Sequence, residues 1–590
     1  MIVLTPILIV PVVAGLLCLL LRSRRAMALT NIIAFALTLG LGVRLVVGQA
    51  SRLPTGRLAL GPPTAGGTPA TTGETPAPLP AASLQSNVVT ECGEFFRADA
   101  LSAWMVLLIS VVSLASALYA GPYFQRDLAA QAVTPGRVRE FYVLTPVFSA
   151  GMFLVVLANN LGVMWFALEA TALSSVLLVA LYNRSTSLEA AWKYVMLGSL
   201  GLALALFGTV FTYAASAQRS TEPPGFNWSQ LMAMAGQLDP RMIKLAFVFV
   251  LVGYGTKAGL APMHTWLPDA HSEAPSPTSA MLSGVSLKVA LYALLRFHIL
   301  TTASLGSTFS QTLLLVFGLG SMCLAAPFIL VQTNLKRLLA YSSLEHVGLI
   351  CAGIGLNSPI TIFGALLHMG YHALTKPVLF FAAGNVHQTY HTLQMRRIGP
   401  GIGRVLPLTA LCLGLAGAAI MGLPPLGLFF SEITVLGGGF AAGHTTASVL
   451  LLAALLASFC GILYQFTRIL PGLPKPGRSY RFSAFPSPQP SPLERGATTS
   501  TAAETLAVGE HSQTTEALSL SPGERARVRG NETPGSADAS NTAPAANSSP
   551  LERIFPMALL LITLMVFSFW LPGPLLQLLQ QAARIIGGAP

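Results

Sequence analysis

Lys257 and Lys288 stand in apolar surroundings, within GYGTKAGLAPMHTWLPDAHSEAPSPTSAMLSGVSLKVALYALLRF, which runs from Gly253 to Phe297. A lysine at the centre of a membrane helix costs about 2.5–3.5 kcal/mol on insertion scales, so such residues face a protein interior or a wet cavity and are functional candidates by default. Between the two lysines, Pro262 and Pro268 remove backbone donors and interrupt helical hydrogen bonding. Backbone groups freed at membrane depth survive only where protein or a water-lined cavity satisfies them. The stretch predicts a hydrated, charged path inside a membrane protein.

A second group lies in LLHMGYHALTKPVLFF, where His368, His372 and Lys376 recur at every fourth residue. Residues at i and i+4 share a helix face, so the three form one stripe about 12 Å long at 1.5 Å of rise per residue. Histidine exchanges protons near neutral pH, and burial makes a lysine a readier proton donor. The stripe reads as a proton relay; the alternative is one snorkelling lysine and two satisfied core histidines. His-x3-His also suits zinc, but the glutamate of an HExxH arrangement is absent and no CxxC pair occurs among the six cysteines. No metal site is expected.

Glu169, in LGVMWFALEATALSS, is expensive in a membrane helix unless paired or protonated, and Lys257 is its expected partner. Glu345 and His346 are adjacent in AYSSLEHVGLI, so at most one of them faces the stripe. Glu432, in GLPPLGLFFSEITVL, closes the series, just past Pro424 and Pro425. Lys193, with His264, Asp269, His271 and Glu273 of the loop, forms either a proton-uptake mouth or an ordinary polar surface. No nucleotide-binding loop and no nucleophile triad occurs. GPGIGR at 399–404 has no preceding strand, so it is not a dinucleotide fingerprint.

The elements that carry these residues are membrane helices. Only 9% of the 590 residues are charged and 53% are hydrophobic, against about 25% charged in a soluble domain; mean hydropathy is +0.65. Apolar runs long enough to span a bilayer fall at 2–21, 27–47, 99–120, 140–158, 161–182, 189–216, 242–262, 277–298, 309–331, 337–356, 360–383, 404–436, 446–469 and 555–571, fourteen in all. The first has its arginines after the apolar run, which predicts an uncleaved helix and no signal peptide. The net charge of +12 would suit nucleic acid in a soluble protein. In a membrane protein it reflects cytoplasmic loops, as at Arg22, Arg126, Lys336 and Arg396. That bias places both termini outside the cytoplasm.

The predicted organisation is an all-α polytopic membrane protein. Residues 1–47 hold two helices, 48–98 a disordered Pro/Thr/Gly-rich loop, and 99–139 a third helix with its loop. Residues 140–298 and 309–470 form two five-helix repeats, 472–550 is a Pro/Ser/Thr-rich disordered insert, and 555–571 is the last helix. The seventh helix breaks near Pro262 and the twelfth near Pro424, five helices apart. Interrupted helices at corresponding places point to an internal repeat with the ion path at its interface, and an odd repeat number requires inversion across the membrane. In the insert, SPLER at 491–495, SPGER at 521–525 and SPLER at 549–553 repeat, as a partner-binding element or a duplicated linker.

Four motifs carry a family resemblance: KAGLAPMHTWLPDAHSEAPSPTSAMLSG from Lys257, NLKRLLAYSS from Asn334, HALTKPVLFFAAG from His372, and GLPPLGLFFSE ending at Glu432. Over about residues 99–470 the chain resembles the antiporter-like proton-pumping subunits of respiratory complex I, Mrp cation/proton antiporters and membrane-bound [NiFe] hydrogenases. WFALEATALSSVLLVALYNRSTSLEAAWKYVMLGSLG most resembles the hydrogenase-4 and formate hydrogenlyase type. The resemblance implies a proton path through Glu169, Lys257, Lys288, His372 with Lys376, and Glu432. It also implies an inner-membrane subunit of a multisubunit oxidoreductase, with redox cofactors and quinone on partner subunits and none here. A lateral helix after the fourteenth is not expected, which argues against the most distal complex I subunit.

Overall fold

The computed structural model describes residues 3–51, 88–217, 225–398, 401–470 and 549–588. Residues 52–87 of the first Pro-rich loop, and the 472–550 insert apart from its last two residues, lie outside the described residues.

Each of the fourteen apolar stretches holds a helix: α1 Leu4–Leu20, α2 Arg24–Ala50, α3 Ala100–Ala129, α4 Pro135–Leu157, α5 Leu161–Val179, α6 Ser185–Ala217, α7a Pro240–Ala258 with α7b Trp266–Glu273, α8 Ser276–Leu305, α9 Thr308–Val331, α10 Leu335–Gly355, α11 Pro359–Tyr390, α12a Pro407–Ile420 with α12b Gly427–Ala441, α13 Thr445–Ile469 and α14 Pro550–Phe569. Among the described residues, ten helices are long and apolar enough to cross a membrane, and α1, α12a and α12b are shorter apolar helices. Helices α7a and α11 fall outside both groups, α11 because it carries the histidine stripe.

Polarity is inverted relative to a soluble protein. Leu16, Phe166, Trp192, Leu456 and Ile562 are exposed, while Lys257, Lys288, His346, His368, His372 and Lys376 are buried. An apolar exterior around a polar centre suits a lipid solvent. Helices α8 and α10 are enclosed along their apolar length. Helix α11 packs against α3, α8, α10, both halves of α12 and α14, which makes it the axis of the molecule.

Small residues set the spacing. A Cβ on Gly318 of α9 would lie 2.5 Å from the backbone nitrogen of Ala352 on α10, so these two helices meet backbone to backbone. Both predicted breaks are present. Helix α7a stops at Ala258, with Gly259 at φ +82°, four residues before Pro262. Helix α12a stops at Ile420, Gly422 has φ +67°, and Pro424 and Pro425 follow. The Ala261–Pro262 and Pro424–Pro425 peptides are cis.

Two expectations need correction. Residues 88–98 of the loop read as disordered instead form a hairpin, β1 Val89–Glu91 paired antiparallel with β2 Phe96–Ala98. Its Glu91 carboxylate accepts from the backbone N–H groups of Leu4 and Thr5, both at 2.9 Å, and so caps α1, whose first turn has no acceptor of its own. A further helix, α15 Gly573–Gly587, does follow α14. Its leucines, alanines and isoleucine at 575, 578, 579, 582, 583 and 586 form one buried face against α11, α3 and α2. Its 15 residues are too few and too amphipathic to register as a span.

Candidate functional site

The site is built on the enclosed helices. In α8, residues Leu282–Ser286 form a π-helical turn just before Lys288. Such turns shift the backbone register and frequently occur at functional sites. Lys288 Nζ donates to the Ser283 carbonyl and contacts His372 Nδ1, each at 2.5 Å. On α11, His368, His372 and Lys376 share one face, as their spacing requires, and their side chains reach α8, α10 and α12b. Of the adjacent pair on α10, His346 faces the stripe: its Nδ1 is 2.9 Å from His368 Nε2, and its ring centroid is 5.1 Å from that of His372. Lys376 donates to the Leu339 carbonyl at 2.6 Å and Ser342 Oγ at 2.5 Å. Glu345 is buried, with Oε1 unpartnered, and lies within electrostatic reach of Lys376 and Glu432.

Taking the Ser431 hydroxyl hydrogen as bonded within its own helix gives one consistent set of proton positions. Ser431 Oγ donates to the Leu428 carbonyl at 2.8 Å, so its oxygen is left to accept from His368 Nδ1–H at 2.9 Å. His368 Nε2 is then the acceptor, and His346 Nδ1–H donates to it. On that assignment His346 Nε2 carries a lone pair; it makes no close hydrogen bond, and the Ile420 backbone carbonyl lies beside the ring. With Lys288 donating to His372 Nδ1, the hydrogen of His372 sits on Nε2, which is also unpartnered. The two neighbouring rings thus end, one in a donor and one in an acceptor. The series thus runs from Lys288, bonded to His372, to Ser431, bonded to His368 and adjoining Glu432.

The expected Glu169–Lys257 pair is not formed. Lys257 Nζ donates to Tyr194 Oη at 2.6 Å, and Tyr194 Oη lies 2.8 Å from Ser175 Oγ. Glu169 is half-buried, with Oε2 unpartnered, and no ion pair joins it to Lys257. The physical reason is α6, which packs against both α5 and α7a and brings its tyrosine to the lysine first.

Near the α7 break, Asp269 gathers two cations: Lys193 at 3.2 Å and Arg337 at 2.8 Å. Lys193 also pairs with Glu189 at 2.7 Å. His264 Nδ1 is 3.2 Å from the Pro262 carbonyl. His271 is buried, stacks on Phe380 at 5.2 Å, and has neither ring nitrogen hydrogen-bonded. Glu273 accepts from Thr186 Oγ1 at 2.9 Å.

Sequence reading missed a buried ion pair. Arg296 Nη1 and Nη2 donate to Asp99 at 2.5 and 2.8 Å, and the same guanidinium bonds Tyr292 and Ser102. An arginine inside the eighth apolar run was itself the available signal. Tyr194 and Ser431 were missed for a different cause, since hydroxyl side chains are unremarkable in membrane helices.

The family described as NADH:quinone oxidoreductase/Mrp antiporter, transmembrane, matches residues 158–457, which include every histidine and lysine of the relay. The chain belongs to that family. It is an antiporter-like membrane subunit related to those of complex I and hydrogenase-4. A hydrogenase-4 component F homolog from Methylacidiphilum infernorum (isolate V4) is 38% identical over 386 residues, covering 65% of this chain and 80% of that protein. Subunit N of an NADH-quinone oxidoreductase from Desulforudis audaxviator (strain MP104C) is 33% identical over 385 residues, covering 64% of this chain and 73% of that protein. A chain of the Mrp complex from Dietzia sp. DQ12-45-1b has the same fold, with a TM-score of 0.72 at 18% identity over 99% of this chain and 97% of that one.

Proposed function

We propose that this subunit translocates protons within a complex I-related membrane oxidoreductase of hydrogenase-4 type. The observation that carries the reading is the directional row Lys288–His372, His346–His368–Ser431, in which each imidazole can take a proton on one nitrogen and release one from the other. Lys288 hands a proton to His372 Nδ1, His372 Nε2–H passes one to His346 across the gap between rings whose centroids are 5.1 Å apart, and His346 Nδ1–H protonates His368 Nε2. His368 Nδ1–H then releases toward Ser431 and Glu432, and ring tautomers reset before the next passage. Lys376 with Glu345 flanks the row and sets the field on it.

The remaining sites take supporting roles. Lys257 with Tyr194 and Ser175 holds a proton in the first half, and Asp269 with Lys193, His264 and His271 forms the uptake mouth. The halves 140–298 and 309–470 are inverted repeats, with their breaks at α7 and α12 as the points that respond to electron transfer in partner subunits. Those partners carry the quinone and redox cofactors. The subunit resides in the inner membrane with both termini outside the cytoplasm.

The decisive measurement is proton uptake into inverted vesicles, read with a pH-sensitive dye and with complex assembly checked in parallel. Lys288→Met keeps length and packing but removes the first donor, so uptake should be abolished in an assembled complex. Normal uptake would overturn the reading. The family's description also names Mrp antiporters, with which a second reading, a sodium/proton antiporter subunit, is consistent; proton movement that requires sodium would select it.

A further inference from the structure

The histidine spacing on α11 offers two metal-binding groups but no carboxylate from the same helix. The fold supplies one from elsewhere. One nitrogen each of His346 and His368 and one carboxylate oxygen of Glu432 lie within 4.8 Å of one another, all buried, from three different helices. We propose that His346, His368 and Glu432 form a binding site for a divalent transition metal of the zinc class, with water as fourth ligand.

The donor set fits. Two histidines, a glutamate and an open fourth position make a recurrent zinc arrangement. Zinc–nitrogen bonds of about 2.0–2.1 Å at a tetrahedral angle place two nitrogens about 3.3 Å apart. His346 Nδ1 and His368 Nε2 stand 2.9 Å apart, so they separate by only a few tenths of an ångström. The His368 ring is already held by its other nitrogen, through Nδ1–H to Ser431 Oγ. Such supporting hydrogen bonds fix tautomer and orientation in metal sites. Glu432 Oε1 is buried with no hydrogen-bond partner, so a lone pair of this carboxylate is uncommitted.

Binding has a consequence for the histidine pair. The metal takes the His346 Nδ1 lone pair, so the single hydrogen of the neutral ring must move to Nε2. That nitrogen then has no lone pair to take a proton passed from His372. On the proton-relay reading, an occupied site interrupts the row, which makes the metal an inhibitor; binding itself does not depend on that reading.

The test uses the full-length chain in nanodiscs with Co2+ as the probe. The expected result is one bound Co2+ per chain with the intense visible absorption of a tetrahedral centre. His368→Gln and Glu432→Gln should each weaken binding at least about tenfold, with folding checked by circular dichroism. Ser431→Ala leaves all three ligands in place and should weaken binding about tenfold by freeing the ring. Lys376→Met, which should damage proton transfer, should not weaken Co2+ binding, so failure of the relay and failure of the metal site are separable. A weak octahedral spectrum in the unaltered chain, or equal affinity in the ligand variants, would overturn the proposal.

Discussion

At the scale of single residues, the partner of each buried charge decides what it does. Lys257 is bonded to Tyr194, not to Glu169. Tyr194→Phe should therefore lower proton uptake by about a hundredfold, the order that a positioned proton-transfer group contributes. Its effect should be non-additive with Lys257→Met, because the two groups share one hydrogen bond. Glu169→Gln should instead add independently to Lys257→Met, as unlinked sites do. A double-mutant cycle on uptake rates in assembled complex checks both, and strong coupling between Glu169 and Lys257 would contradict the geometry. The Asp99–Arg296 pair calls for a stability measurement. Removing one partner strands a buried charge, so Asp99→Asn should destabilise the solubilised protein by about 3–5 kcal/mol in thermal melting. Arg296→Lys should not restore it, since an ammonium lacks the planar fork that engages both Asp99 oxygens, Tyr292 and Ser102.

At the scale of elements, the relay depends on how closely α9, α10 and α11 approach. Gly318 meets the α10 backbone, whereas Gly320, two residues on, has nothing within 4 Å of a Cβ. Gly318→Ala should cost about 1–3 kcal/mol by overpacking and displace His346, lowering proton uptake as well. Gly320→Ala should be neutral or slightly stabilising, by the ordinary helix preference for alanine. Equal melting temperatures for the two variants would show that the helices yield. Helical periodicity alone aligned His368, His372 and Lys376, and the structure keeps that face. The hairpin at 88–98 escaped sequence reading because its strands are three residues each, flanked by a Pro-rich loop.

At the scale of the whole molecule, an enclosed polar axis is surrounded by apolar helices. The 472–550 insert has a composition that cannot bury a core. Deleting 480–548 should leave assembly and proton uptake nearly intact; loss of the assembled complex would instead show that the repeated SPLER and SPGER segments bind a partner. A reporter fused after Pro590 should read as non-cytoplasmic, as the Lys/Arg distribution requires, and a cytoplasmic reading would overturn the proposed orientation.

The amino-acid sequence by itself determined the class of protein, the helices of the fourteen apolar runs and the histidine–lysine stripe. Each of these is local: apolar length sets a helix in lipid, and the helical period sets a face. Both breaks were legible too, because proline and glycine act where they stand. Tertiary structure alone decided the partnerships. Ser431 lies 63 residues from His368 and Arg296 lies 197 from Asp99, and no periodicity reaches that far. Tyr194 displaced Glu169 as the partner of Lys257 because α6 packs on both helices between which the pair was expected. The link from His346 through His368 to Ser431, two helices away, likewise exists only once the helices are packed.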